Sequence, residues 1–321
     1  MPTNYHGILL PVTTPFTADE EFDRRGLVEN LEKWNKTGIT GYVILGSTGE
    51  RVNLDEREYV EVIETARQVV PKEFAFIAGA GQQSTRGTIR EIEQAAHSGA
   101  DAVLVITPHY YRAAISQAAL VRHYTAVADA ASVPIILYSM PDLTGIQIEP
   151  ETTARLSAHD NIIGIKDSSA DVVKLAETVR LVPDDFAVMI GNGTVFSEAL
   201  QAGARAGILA VACAAPQICI AIYEAVKAGD IGRAAGLQEA LTPLARAVTK
   251  TYGIGGLKAA LEMAGYVGGG VRAPLQRPSE DARDEIAELL RAATDALAKV
   301  SEPGAVVSEP GAVATGSSGS T

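Results

Sequence analysis

Short unbroken apolar runs, each closed by Gly, Pro or a polar residue, alternate along the chain with segments whose apolar positions recur every three or four residues. The runs are GILLPV (7–12), GYVILG (41–46), FAFIAG (74–79), AVLVIT (102–107), PIILYS (134–139), IIGIK (162–166), AVMIG (187–191) and GILAV (207–211). Apolar runs of this length, without alternation, predict parallel strands buried on both faces. The intervening segments carry helix punctuation, an oxygen-bearing cap in front and Gly or Pro behind. Asp23, Asp55, Ser84 and Ser116 open four of them, Gly38 stops the first, and later helices start near Pro150, Ala170, Thr194 and Pro216.

Eight strand–helix pairs within about 225 residues predict a (β/α)₈ TIM barrel, an α/β fold. A doubly wound sheet would have fewer strands and a phosphate-binding glycine loop after the first, which this chain lacks. Beyond the eighth unit the pattern is helical, with helices expected at 230–251, 255–265 and 279–299. The expected organisation is therefore a catalytic barrel over 1–228, a C-terminal helical extension over 229–300, and a low-complexity tail over 301–321 in which SEPGAV occurs twice. Such a tail is expected to be disordered or an interaction appendage.

Composition narrows the function classes. Of 321 residues, 47% are hydrophobic and 21% charged, enough apolar surface for a large core. The formal charge of −12 repels phosphate backbones and anionic lipid, so neither nucleic acid nor a membrane surface is an expected partner. No apolar run approaches the roughly 18 residues that span a bilayer, and the N-terminus does not read as a signal peptide. Cys213 and Cys219 have no nearby His and read as core thiols, which fits a reducing, cytoplasmic setting. The five histidines are scattered without metal-ligand spacing, so no metal is expected.

Chemistry in such a barrel gathers at the C-terminal ends of the strands. That rule selects GSTGE (46–50), TPHYY (107–111), YSMP (138–141), Lys166 in GIKDSS, and GNGT (191–194). Lys166 follows an apolar run that leaves an ammonium poorly solvated, and a neutral amine there could attack a ketone to form an imine. The alternative is a lysine paired with Asp167 or capping a barrel end. Tyr138, ending the neighbouring strand, could shuttle a proton, with Ser47 and Thr48 relaying it and the turn's N–H groups holding a carboxylate. Alone, Tyr138 could be a core aromatic and GSTGE a plain turn. GAGQQS and GNGTVF do not complete a dinucleotide loop. Lys258 reads as a packing or surface residue.

GSTGE, TPxYY, YSMP…TG and GIKDSS, in this order, resemble the pyruvate-dependent class I aldolase family that includes dihydrodipicolinate synthase and N-acetylneuraminate lyase. The resemblance runs from Gly7 to Arg291. It implies a barrel with a C-terminal helical extension, assembled as a homotetramer, a dimer of dimers. It implies that Lys166 forms the Schiff base with a 2-oxo acid, with no cofactor beyond that imine, and that Tyr138 transfers the proton. Ser47 and Thr48 would bind the pyruvyl carboxylate, and Tyr110 would complete the relay across the tight dimer interface. Ser168 matches a position facing the substrate's variable end, and Leu209 one whose carbonyl faces the pyruvyl group.

Departures bear on the second substrate, an aldehyde. The synthases carry Arg where this chain has Leu143, and the glutamate serving lysine feedback falls at Gly87. Sialic acid lyases place acidic residues after the seventh strand, whereas here Asn192 and Thr194 follow Gly191. Longer segments are more similar to 4-hydroxy-2-oxoglutarate aldolase, although Thr48 replaces its Asn, and Arg112 is the candidate donor to a distal carboxylate. The expected reaction is cleavage of 4-hydroxy-2-oxoglutarate to pyruvate and glyoxylate. The alternatives are condensation of pyruvate with aspartate semialdehyde, a keto-deoxy sugar-acid aldolase or dehydratase, and an inactive small-molecule-binding barrel.

Overall fold

The computed structural model describes residues 5–301. Eight parallel strands form a closed barrel in sequence order: β1 (Gly7–Pro11), β2 (Gly41–Ile44), β3 (Ala75–Ala80), β4 (Ala102–Ile106), β5 (Ile135–Ser139), β6 (Ile162–Asp167), β7 (Ala187–Ile190) and β8 (Ala206–Ile208). Closure comes from β8 pairing with β1, Ile208 opposite Leu9. Leu9, Val43, Ile77, Leu104, Ile136, Met189 and Ile208 fill the interior, while a larger apolar cluster lies between barrel and helices. Burial on both faces is what the unbroken apolar runs required.

The surrounding helices are α1 (Arg24–Trp34), α2 (Glu56–Val69), α3 (Thr85–His97), α4 (Gln117–Ala130), α5 (Pro141–Thr144), α6 (Pro150–Leu156), α7 (Val172–Leu181), α8 (Phe196–Gln201) and α9 (Pro216–Lys227). All four expected cap residues act as caps: Asp23, Ser84 and Ser116 accept from the third N–H beyond them, and Asp55 forms a capping box with Glu58. The short α5 was not anticipated. Pro141 opens it and Gly145, with φ of 68°, closes it.

The C-terminal extension comprises α10 (Ile231–Arg246), a π-helical turn (Ala247–Thr251), α11 (Gly253–Met263) and α12 (Glu280–Ser301). The single helix expected over 230–251 is thus two elements: α10 ends at Arg246, with Pro243 in its last turn, and the wider turn carries the chain onward. Helix α10 packs against α9 and α12, so the extension buries one flank of the barrel. Past Ser301 itself, the repeat-bearing tail lies outside the described residues. No helix among the described residues is long and apolar enough to cross a membrane.

Candidate active site

Strand register decides which side chains meet. Tyr138 on β5 pairs with Lys166 on β6, one step of two residues above the pair Ile136 and Gly164. Alternation along the strands therefore turns Tyr138 and Lys166 inward at the C-terminal rim, above the Ile136 layer. Both are 4% exposed, and the Lys166 amine lies 4.4 Å from the centre of the Tyr138 ring. Lys166 is thus set against the phenol, while the Asp167 carboxylate turns away to accept from the Ser169 N–H at 2.8 Å.

The third component comes from the turn after β2. Ser47–Gly49 forms a single 3₁₀ turn closed by Gly49 N–H to Gly46 carbonyl, and the Ser47 hydroxyl is 3.4 Å from the Tyr138 hydroxyl. Thr48 is buried in the same turn. Burial opposes ionisation of the Tyr138 phenol, but the Lys166 charge and the Ser47 and Ser168 hydroxyls outweigh it and hold the phenol below its ordinary value.

Gly191, ending β7, closes the back of the site. A Cβ there would collide with the Ser168 hydroxyl and lie 2.7 Å from Lys166 Cε, so only glycine leaves the lysine its path. Asn192 spends its side-chain carbonyl on Thr194, accepting from its N–H at 3.0 Å and its hydroxyl at 2.8 Å. Leu209 is fully buried just past β8, and its carbonyl accepts the Ala212 N–H at 3.1 Å. A cavity of about 560 Å³ opens beside Ser47 and Tyr138, bounded further out by Arg51, Gln82, Gln83 and His109.

The structure thus brings together Lys166, Tyr138, Ser47, Thr48, Ser168 and Gly191. Tyr110 stands apart, 75% exposed with its ring edge against Tyr111. Arg112 is exposed too, and its guanidinium lies across Gly145, within 2.8 Å of where a Cβ would be. Lys258, read from sequence as packing or surface, is 2% exposed and ion-paired to Glu50 of the GSTGE turn at 2.5 Å. The signal for it was present: a lone ammonium in the apolar helix GIGGLKAALEM demands a buried counter-charge.

An inward lysine beside a phenol at the C-terminal rim of a parallel barrel defines the class of Schiff-base-forming carbon–carbon lyases. A family model described as the dihydrodipicolinate synthetase family matches residues 4–293, and the chain belongs to that family. A 4-hydroxy-tetrahydrodipicolinate synthase of Methanothrix thermoacetophila is 34% identical over 292 residues, covering 91% of this chain and 98% of its own. Among solved structures, a dihydrodipicolinate synthase of Bacillus anthracis superposes with a TM-score of 0.86 at 28% identity, covering 89% of this chain and 98% of its own. A prophage protein of the same family from E. coli K12, in complex with pyruvate, gives 0.83 at 29% identity, covering 90% and 99%. The chain is a class I, pyruvate-dependent lyase of this family.

Proposed function

We propose that Lys166 forms an imine with pyruvate and that the derived enamine makes or breaks a carbon–carbon bond to an aldehyde, no other cofactor taking part. One observation carries this reading: a buried lysine amine 4.4 Å from the ring centre of a buried phenol whose hydroxyl touches Ser47. The amine attacks C2 of pyruvate, and the Tyr138 phenol returns a proton to the departing hydroxyl, which leaves as water. The protonated imine draws electrons from C3, the Tyr138 phenolate takes a C3 proton, the enamine adds to the aldehyde carbon, and the phenol returns that proton to the new alkoxide before water releases Lys166. Run backwards, Tyr138 removes the 4-hydroxyl proton and the C3–C4 bond breaks. Ser47 and Thr48 hold the pyruvyl carboxylate, with Ser168, Gly191, Asn192 and the Leu209 carbonyl lining the rest. Tyr110 of a second copy completes the relay, which makes the working form a homo-oligomer. Two free, buried thiols support a reducing, cytoplasmic setting.

For the aldehyde, the names of the relatives support aspartate semialdehyde and the condensation of a 4-hydroxy-tetrahydrodipicolinate synthase. That reading now stands ahead of the 4-hydroxy-2-oxoglutarate cleavage favoured by the sequence motifs. The cleavage is kept second on one observation: Leu143, apolar and 62% exposed, occupies the position of the synthases' carboxylate-binding arginine. Arg112 is then the donor to the distal carboxylate. Borohydride added with pyruvate should leave a reduced pyruvyl adduct on Lys166, read by intact mass and peptide mapping. Coupled assays with aspartate semialdehyde and with 4-hydroxy-2-oxoglutarate then separate the two reactions. Folded protein that traps no adduct would leave a small-molecule-binding barrel.

A further inference from the structure

We propose that Lys258 is a positioning residue for the reaction at Lys166: its ammonium, reaching in from the C-terminal extension, holds the turn that carries Ser47 and Thr48. The inference rests on the reading of that turn as the pyruvate holder. The turn is bounded on both sides by non-glycine residues in the left-handed region, Leu45 with φ of 58° and Glu50 with φ of 54°. Such a backbone persists only where its surroundings over-determine it, and the restraint is identifiable here.

Lys258 has three N–H bonds, and each goes to a different segment. One goes to the Glu50 carboxylate at 2.5 Å, one to the Thr14 carbonyl after β1 at 2.7 Å, and one to the Gly270 carbonyl at 2.5 Å. The amine also sits 4.6 Å from the Phe16 ring centre. The other Glu50 oxygen accepts from Asn53 at 3.3 Å and from the Arg272 N–H at 3.4 Å, so this carboxylate is committed to the scaffold. Thr14 adds a second tie, its hydroxyl donating to the Gly49 carbonyl at 2.7 Å. The far end of the turn is therefore clamped by groups of the loop after β1 and of the extension, while its near end presents Ser47 to Tyr138. With the clamp gone, the Ser47 hydroxyl and the turn's N–H groups lose their fixed aim, whereas Lys166, held by β6, does not.

The test is kinetic and uses the full chain. Lys258→Met should still trap the pyruvyl imine at saturating pyruvate, with KM for pyruvate raised by about tenfold or more, as expected when a binding contact is misaligned. Combined with Ser47→Ala the rise in KM should be smaller than the product of the two single rises, because both variants act on the Ser47 contact. Glu50→Gln should move KM in the same direction, and it carries the test if Lys258→Met does not fold. Leu290→Ala on α12, a core truncation in the same extension, should leave KM unchanged. An unchanged KM in the folded variants, effects that multiply with Ser47→Ala, or an equal rise in Leu290→Ala would overturn the inference. A wild type that traps imine while the variants are unmoved overturns this inference alone; one that traps none overturns the imine reading as well.

Discussion

In the proposed mechanism Tyr138 gives and takes a proton from inside a barrel, where burial would ordinarily lock a phenol in its neutral form. Its neighbours reverse that bias, and each should be separable by mutation. Tyr138→Phe should slow turnover by about 10²–10⁴, the range of a lost general acid–base group, while borohydride still traps imine. Ser168→Ala removes one of the hydroxyls that hold the phenol down. Its ionisation should then move to higher pH, displacing the alkaline limb of the kcat profile upward; an unmoved limb would mean that Ser168 does not touch the reacting phenol. Gly191→Ala tests the same small volume from behind. The added methyl competes with Lys166 Cε for space, and overpacking of this kind costs about 1–3 kcal/mol. The expected result is a lower melting temperature and a loss of adduct at Lys166, rather than a shift in substrate preference.

Between elements, the informative case is the contact of α3 with α4. His123 on α4 is buried, meets the Thr85 hydroxyl through Nδ1 at 3.0 Å, and leaves Nε2 without a partner. Burial pushes its pKa down to about 4. The folded state thus refuses a proton that the unfolded chain accepts near its ordinary value of about 6.5. Stability is therefore fully present above that pH and lost as pH falls from there toward 4, by about 3 kcal/mol at most. Urea titrations at a series of pH values should reveal this slope, and His123→Phe should flatten it. The elements themselves were largely legible because their signals are local: Asp23, Asp55, Ser84 and Ser116 each bond an N–H three residues away. Lys166 and Tyr138 were legible for a related reason, since each closes its own apolar run. What escaped depends on distant partners. The apolar helix around Lys258 calls for a buried counter-charge but does not name Glu50, 208 residues away, and nothing in the helical spacing of 230–251 told that the segment would widen into a π turn.

On the scale of the whole molecule, a chain with formal charge −12 keeps large apolar side chains exposed on loops at the C-terminal ends of its strands. Val52 is 88% exposed, Tyr110 75% and Tyr111 73%, all on the loops after β2 and β4. Exposed apolar side chains of this kind suit a surface that the proposed assembly would cover. A second copy of this chain is the occupant the proposed relay requires, because Tyr110 of the same chain stands exposed with its ring against Tyr111. Association should then be coupled to rate. Specific activity is expected to fall on dilution as the assembly dissociates, by mass action, and sedimentation should find smaller species over the same concentration range. Tyr110→Phe keeps the ring and so should preserve association while lowering turnover. Tyr110→Ala should weaken both, and mixing it with a Lys166→Ala variant should restore some activity, since a mixed pair rebuilds one complete site from two defective chains. Full activity in a monomer at high dilution would remove Tyr110 from the relay and leave the site entirely to one chain.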